Sequence, residues 1–335
     1  MQRLVLIDGH AILHRAYHAL PPLTNRSGEL VNAVYGFCTI LLKVIDDLKP
    51  QYLAVAFDTP KPTFRQKEFI GYQAQRPKMD QELSGQIEKV QRVVKAFGIP
   101  IFEVPGFEAD DAIGTLARQA TEDTKILRYQ DIKKKKLKKS PNIAISQYPN
   151  IEIIIVSGDK DLFQLVNKKV KLYMPIHGLS ETQIFGEKEV EEKMGVGPSK
   201  IVDYKALVGD PSDNYPGVPG IGPKGAIDLI KKFGTVDKIY QSLGKIDNEN
   251  LRKKLEEGQK SAKLSKMLAT VVTDAPVKLD LEKAKLKDFN NEKSLDILRE
   301  LGFKSLVARL SGGEVKKVLK RSKKENEKEL QPSLF

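Results

Sequence analysis

Nine carboxylates stand where a cation-dependent chemistry would need them. Asp8 follows LVLI, Asp58 follows YLAVAF, and Asp159 and Asp161 follow IIIVSG, so each closes an apolar, β-prone run. Ligands of open parallel sheets gather beyond the carboxyl ends of the strands, so these acids are expected to converge. Glu108, Asp110 and Asp111 follow VPGF at the start of a helix. Glu108 and Asp111 are spaced to share a face, although acids at a helix start also serve the helix dipole alone. Asp210 and Asp213 in VGDPSDN form a second pair three residues apart, which by itself reads as turn chemistry. Nine carboxylates drawn into one cleft repel one another and cannot all stay ionised without cations. No histidine or cysteine accompanies them, and an all-oxygen set suits Mg²⁺ or Mn²⁺ rather than zinc. Two such ions about 3.5–4 Å apart would activate a water and stabilise the leaving oxygen in phosphodiester hydrolysis. On the residues alone, a phosphatase and a metal-dependent DNA-binding module stay open beside a nuclease.

The elements that must position these acids are legible. Leu4–Ile7, Tyr52–Phe57 and Ile151–Val156 are near-continuous apolar runs, the signature of strands covered on both faces. Between the first two, Val31–Leu48 carries apolar residues at helical spacing. Ile87–Phe97 reads as a second amphipathic helix, ended by Gly98 and Pro100. Ile101–Val104 reads as a further strand and Ala109–Ala120 as a helix. The alternation predicts a doubly wound α/β domain over residues 1–180, and residues 181–310 read as mostly helical. Residues 61–79 break the pattern, being polar, basic and dotted with aromatics, as a loop over a site would be.

Composition narrows the partners. The 335 residues carry 56 Lys plus Arg against 44 Asp plus Glu, a formal +12, which favours a polyanion. Between Lys125 and Lys139 lie eight basic residues and one acid, so +7 of that charge sits in one short stretch, read as a solvated loop or a DNA contact. The single cysteine, Cys38, falls on an apolar helix face and reads as a core thiol in a reducing compartment. His10, His14 and His18 read as surface or packing residues. No leader and no apolar run of membrane-spanning length is evident, so a cytoplasmic protein is expected.

The segment Tyr215–Gly234, YPGVPGIGPKGAIDLIKKFG, places Gly217, Gly220, Gly222 and Gly225 in a tight turn before a helix. Such a turn lets backbone N–H groups and a helix N-terminus meet a phosphate, with Lys224, Lys231 and Lys232 adding charge. No side chain there reads a base edge, so contact independent of sequence is expected. The ending of a nucleotide-binding P-loop is missing.

Taken together, LVLIDG, AVYGF, VAFDTPKPTFR, VPGFEADD, SGDKDLFQL and GDPSDNYPGVPGIGPK resemble the 5′-nuclease domain of bacterial DNA polymerase I, within the flap endonuclease superfamily. The similarity spans about residues 3–310. It implies a PIN-like, mostly parallel sheet followed by a helical domain with a helix–three-turn–helix motif. It also implies Mg²⁺-dependent cutting of 5′ flaps and 5′ ends in RNA-primer removal and DNA repair, by a monomer; a junction-binding protein without catalysis is the alternative. Carried over by motif, Asp8, Asp58, Glu108, Asp110 and Asp111 would form a first metal cluster. Asp159, Asp161, Asp210 and Asp213 would form a second. The scissile phosphate would fall to Asp8, Asp58, Asp110, Asp111 and Asp159, with Arg76 from the arch over residues 61–79. DNA contacts would come from Arg65, Tyr72 and Arg76 and from Gly217, Gly220, Gly222 and Lys224, with K⁺ at the hairpin.

Four departures qualify the resemblance. Gln73 stands where a phosphate-contacting lysine is usual, with Lys78 or Arg65 as candidates to compensate, and Gly225 replaces a usual threonine. The basic stretch, residues 125–145, looks like an insertion. The resembling polymerases continue for hundreds of residues, whereas this chain ends at Phe335, so a stand-alone nuclease is expected. Its tail, residues 311–335, closes with Gln331, Pro332, Ser333, Leu334 and Phe335, which resemble the peptide that docks on the bacterial sliding clamp.

Overall fold

A computed structural model describes residues 2–77, 79–122, 151–179, 181–287 and 289–311. The lysine-rich stretch, Lys78 and the clamp-like peptide lie outside the described residues.

Among the described residues, six strands form one sheet: β1 (Gln2–Asp8), β2 (Tyr52–Phe57), β3 (Ile101–Glu103), β4 (Ile151–Val156), β5 (Val170–His177) and β6 (Glu181–Phe185). Their order is β3-β2-β1-β4-β5-β6, all parallel except the last. The helices α1 (Gly9–Ala19), α2 (Asn32–Leu48), α3 (Phe64–Glu68), α4 (Gln81–Ala96) and α5 (Ala109–Glu122) alternate with the first strands. The doubly wound class read from the sequence is therefore present. Every residue of β2 and β4 is buried, as a sheet covered on both faces requires. Leu4, Leu6, Ile153 and Ile155 face α5, whereas Val5, Ile7, Ile154 and Val156 join the core that holds α2 and α4.

The strand order reverses between β1 and β4, where Ile7 is paired with Val156. The crevice beyond that pair is where an open α/β sheet offers a site. The tight Asp8–Gly9 passage from β1 into α1 is dictated by packing, since a side chain at Gly9 would run into the Phe57 ring.

Two boundaries differ from the sequence reading. The hairpin partner β6 extends the sheet to Phe185, past the expected limit at residue 180; its sequence ETQIF is mostly exposed and offers no apolar run to read as a strand. At the other end, residues 292–310 do not belong to the helical region. The helices Glu292–Glu300 and Lys304–Leu310 place Ile297, Leu298, Leu301 and Phe303 in the same core as α2 and α4. An apolar stripe shows that a helix is buried on one side but not what it packs against.

The intervening helical region holds Ile201–Val208 and Pro223–Phe233 on either side of the glycine turn, with the long helix Glu249–Ala269 behind them. It is stitched to the sheet domain by α5. Asp111 accepts from the Val272 N–H, Thr115 from Ala275 and Gln119 from Leu279, so an extended segment lies along one polar face of that helix. Among the described residues no helix is long and apolar enough to cross a membrane.

Candidate metal centre and active site

Beyond the β1–β4 switch point opens a cleft of about 560 Å³. Its walls include Asp8, Asp58, Glu108, Asp110, Asp159, Asp161 and Asp213, brought together from β1, β2, α5, the end of β4 and the turn after residue 210. Seven of the nine acids singled out by motif thus share one cleft wall.

Each is held by its element. Asp8 caps α1, its Oδ1 accepting the Ala11 N–H at 3.0 Å, while Oδ2 accepts the Ser157 hydroxyl at 2.8 Å. Ser157, fully buried, accepts in turn from the Asp159 N–H at 3.0 Å. Asp58 Oδ1 accepts from Ala109 N–H at 2.7 Å, tying the end of β2 to the start of α5. Asp161, Asp210 and Asp213 form a compact group whose nearest carboxylate oxygens lie within 4.8 Å of one another.

Crowding leaves a clear electrostatic mark. Burial, then Asp58 and Asp159, push Asp8 up to about 7 despite its two hydrogen bonds. Asp110 is driven well above the usual range by burial and by Asp159, Asp8, Glu108 and Asp58. Burial raises Glu108 to about 7, with Arg65 only partly offsetting it. Asp159 also rises through burial, against the pull of Lys205 and Arg76. Hard oxygen donors whose own charges are mutually penalised are the donor set that a divalent cation satisfies.

Asp111 corrects the sequence reading. It is fully buried, absent from the cleft wall, and accepts four hydrogen bonds: Arg65 Nη2–H and Val272 N–H on Oδ1, Arg65 Nη1–H and Glu108 N–H on Oδ2. No lone pair remains for a metal ion. Arg65 corrects it too. Its Nε donates to the Leu268 carbonyl, Nη1 to Glu108 and Asp111, and Nη2 to Asp111 and the Thr270 carbonyl. All five donors are spent inside the protein, so Arg65 neither contacts DNA nor compensates for Gln73. Position in a polar, basic segment misled here, because a short helix turns that arginine inward.

The other expected DNA contacts divide. The Tyr72 ring is buried against Tyr215, Leu268 and Ala269, and its hydroxyl donates to Glu108 at 3.3 Å and Asp213 at 3.4 Å, so no ring face is open to a base. Gly217 is likewise buried: its N–H goes to Ser265 Oγ and its carbonyl accepts from Ser261. Its φ of +64° and the approach of Gly209 explain the glycine without a phosphate. Gly220, Gly222 and Lys224 do lie exposed at the start of the helix Pro223–Phe233. Arg76 is half-exposed at the cleft and paired with Asp213 at 2.5 Å. Gln73, in the left-handed region at φ +56°, donates its side-chain amide to the same carboxylate at 3.3 Å.

Three residues were missed by the sequence reading. His10 and His14, read as surface or packing residues, line the cleft; the His10 ring also packs edge-on against Phe57, and its Nδ1 accepts the Asp58 N–H at 3.1 Å. Their spacing from Asp8, two and six residues into α1, was the available signal. Lys205 bridges Asp161 and Asp210. It precedes Asp210 by five residues at the end of a helix, a position that looks like ordinary helix C-terminal charge.

Comparison with known proteins agrees with this architecture. Residues 3–129 match the N-terminal resolvase-like domain of the 5′-3′ exonuclease family, and residues 196–292 match its C-terminal SAM-fold domain. The chain is 39% identical over 309 residues to DNA polymerase I of Bacillus subtilis, covering 92% of this chain and 32% of that one. It thus spans about a third of the polymerase relatives it matches. A 5′-3′ exonuclease of Aquifex aeolicus is 37% identical, with 92% of this chain and 94% of that protein covered. In three dimensions the T5 D15 protein co-crystallised with metal ions superposes with a TM-score of 0.62 at 17% identity, over 90% of this chain and all of that one. The catalytic core of Rad2 with DNA substrate gives 0.51 at 17% identity, over 94% and 89%. With both family domains matched in order and a relative covered almost end to end, the chain belongs to the 5′-3′ exonuclease family.

Proposed function

We propose that the protein is a divalent-metal-dependent 5′-nuclease that hydrolyses phosphodiesters at 5′ flaps and 5′ ends of DNA, in primer removal and repair. The observation that carries this reading is the cleft itself, where carboxylates from five separate elements converge and burial and mutual repulsion raise the proton affinities of Asp8, Glu108, Asp110 and Asp159. Their chemistry fits Mg²⁺, with Mn²⁺ as a substitute. Asp8, Asp58, Glu108, Asp110 and Asp159 would hold one ion, and Asp161, Asp210 and Asp213 another. Such ions supply an activated water and stabilise the departing oxygen.

The chain's own groups orient that chemistry. Ser157 aligns Asp8 with Asp159, and Ala109 N–H fixes Asp58. Arg76, whose guanidinium already reaches the cleft, is the arch group suited to a phosphate oxygen. Gly220, Gly222 and Lys224 offer a backbone and a charge to the duplex, with K⁺ as a fitting ion there. Contact through backbone and lysine alone makes the grip independent of base sequence.

A cytoplasmic monomer docked on the sliding clamp through Gln331, Leu334 and Phe335 completes the proposal, supported by the sequence of that peptide and by the gain in local concentration from tethering. Loss of clamp capture on Phe335→Ala is the expected result, and retention would remove that part.

The deciding assay is cleavage of an end-labelled 5′-flap duplex in Mg²⁺, in EDTA, and by Asp159→Ala. Metal-dependent cutting near the junction, abolished by the substitution, is expected. Tight flap binding without cutting in either Mg²⁺ or Mn²⁺ would replace the nuclease with a junction-binding protein.

A further inference from the structure

The two acidic clusters are not neutralised alike. In the first, Asp8 and Asp110 face buried surroundings and other carboxylates. In the second, a lysine is already in place. Lys205, on the helix Ile201–Val208, has a side chain only 9% exposed. Its Nζ donates to Asp161 and, at 2.7 Å, to Asp210. Asp210 and Asp161 belong to different parts of the fold, the turn after that helix and the 3₁₀ turn Asp161–Leu165, so the ammonium group joins the helical region to the end of β4.

The placement is built in rather than casual. Ile201, Ala206 and Leu207 of the same helix are fully buried, which fixes its rotation, and the Gly209 N–H closes the helix on the Lys205 carbonyl at 2.8 Å. A compact ammonium with three donors between two carboxylates supplies half the charge that a divalent ion held by them would bring. Asp213, the third acid of the group, is paired with Arg76 from the arch. Three carboxylates therefore meet two protein cations before any metal arrives.

We infer that Lys205 is the resident cation of the second cluster, holding Asp161 and Asp210 together without metal and competing with a divalent ion for them. The inference rests on reading the clusters as metal centres. Its consequence is unequal binding: the first cluster takes its ion strongly, and the second takes one at least about tenfold more weakly, a difference of about 1.4 kcal/mol. Lys205 acts through the two aspartates, as a positioning residue.

Mn²⁺ binding to the full chain without DNA, followed by electron paramagnetic resonance and calorimetry, tests this. Wild type should show two classes of site at least tenfold apart. Lys205→Met keeps the buried stem without the charge, and should tighten the weaker class about tenfold while leaving the stronger one alone. Lys205→Arg should keep the weak class weak. Melting gives an independent readout: Lys205→Met should melt below wild type in EDTA, and saturating Mn²⁺ should close or reverse the gap. Two equal classes in wild type, a weak class indifferent to Lys205→Met, or an equal melting deficit with and without Mn²⁺ would each overturn the inference. So would a Lys205→Met protein that stays unfolded in saturating Mn²⁺. A wild-type protein that binds no Mn²⁺ at all would instead overturn the metal-centre reading beneath it.

Discussion

Arg65 and Asp111 face each other in a two-pronged ion pair, with Nη1–Oδ2 and Nη2–Oδ1 both at 2.8 Å and both side chains shut away from water. The remaining donors of the arginine reach Glu108 and the carbonyls of Leu268 and Thr270. The pair is a rivet between the arch, α5 and the segment that leaves the long helix.

Removing one partner strands the other charge in a dry site. Arg65→Met is expected to cost about 3–5 kcal/mol of stability, read by denaturant unfolding. Arg65→Lys should recover little, because three donors on a point charge cannot replace a five-donor fork. Asp111→Asn should lower the melting temperature while leaving Mg²⁺ affinity unchanged. A large loss of Mg²⁺ affinity with normal stability would return Asp111 to the metal ligands.

The raised carboxyls make the metal-free protein sensitive to alkali. Asp8 and Glu108 are pushed up to about 7 from 3.8 and 4.5, so between those limits the native state holds protons that the unfolded chain has released. Their contribution to stability is complete below the unfolded values and is lost as pH rises through about 7. In EDTA the melting temperature should therefore fall from pH 5 to pH 8, and Asp8→Asn should flatten the fall. Mg²⁺ should bind more tightly as pH rises over the same window, since its ligands must ionise. A melting temperature rising in EDTA, with the same slope in Asp8→Asn, would contradict this.

At the arch, Arg76 and Gln73 both contact Asp213, yet only one of them carries charge. Arg76→Ala should lower turnover about 10²–10³-fold, the usual cost of losing a donor aimed at developing charge. Gln73→Lys should raise turnover by restoring a cation beside the cleft. An unchanged or slower Gln73→Lys protein in single-turnover flap cleavage would show that the uncharged amide is no handicap.

Salt dependence separates the basic regions. Removing one lysine that neutralises a phosphate should reduce the slope of log K against log salt by about 0.9. Lys224→Ala should shift it by about that much. Neutralising the six lysines at 133–136, 138 and 139 should flatten it further if the stretch grips DNA. An unaltered slope would leave that stretch without a part in DNA binding.

Much of this protein was legible before its fold was. Apolar runs ending in Asp8, Asp58 and Asp159 announced a parallel sheet with acids at one edge, because strand patterning and the position of the following residue are local properties. The doubly wound arrangement followed from alternation alone. What a side chain meets across the molecule is not local, and there the tertiary structure decided. Asp110 and Asp111 are neighbours in sequence, yet the turn of α5 sends one into the cleft and the other onto Arg65. Gly217 and Gly220 belong to one motif, but close packing against Gly209 buries the first and leaves the second outside. Lys205 is an ordinary lysine at a helix end until Asp161, forty-four residues earlier, is folded against it. Residue type and spacing determined which chemistry was available. Packing decided which oxygens and cations were left free to perform it, since a buried donor or acceptor already satisfied has nothing more to offer.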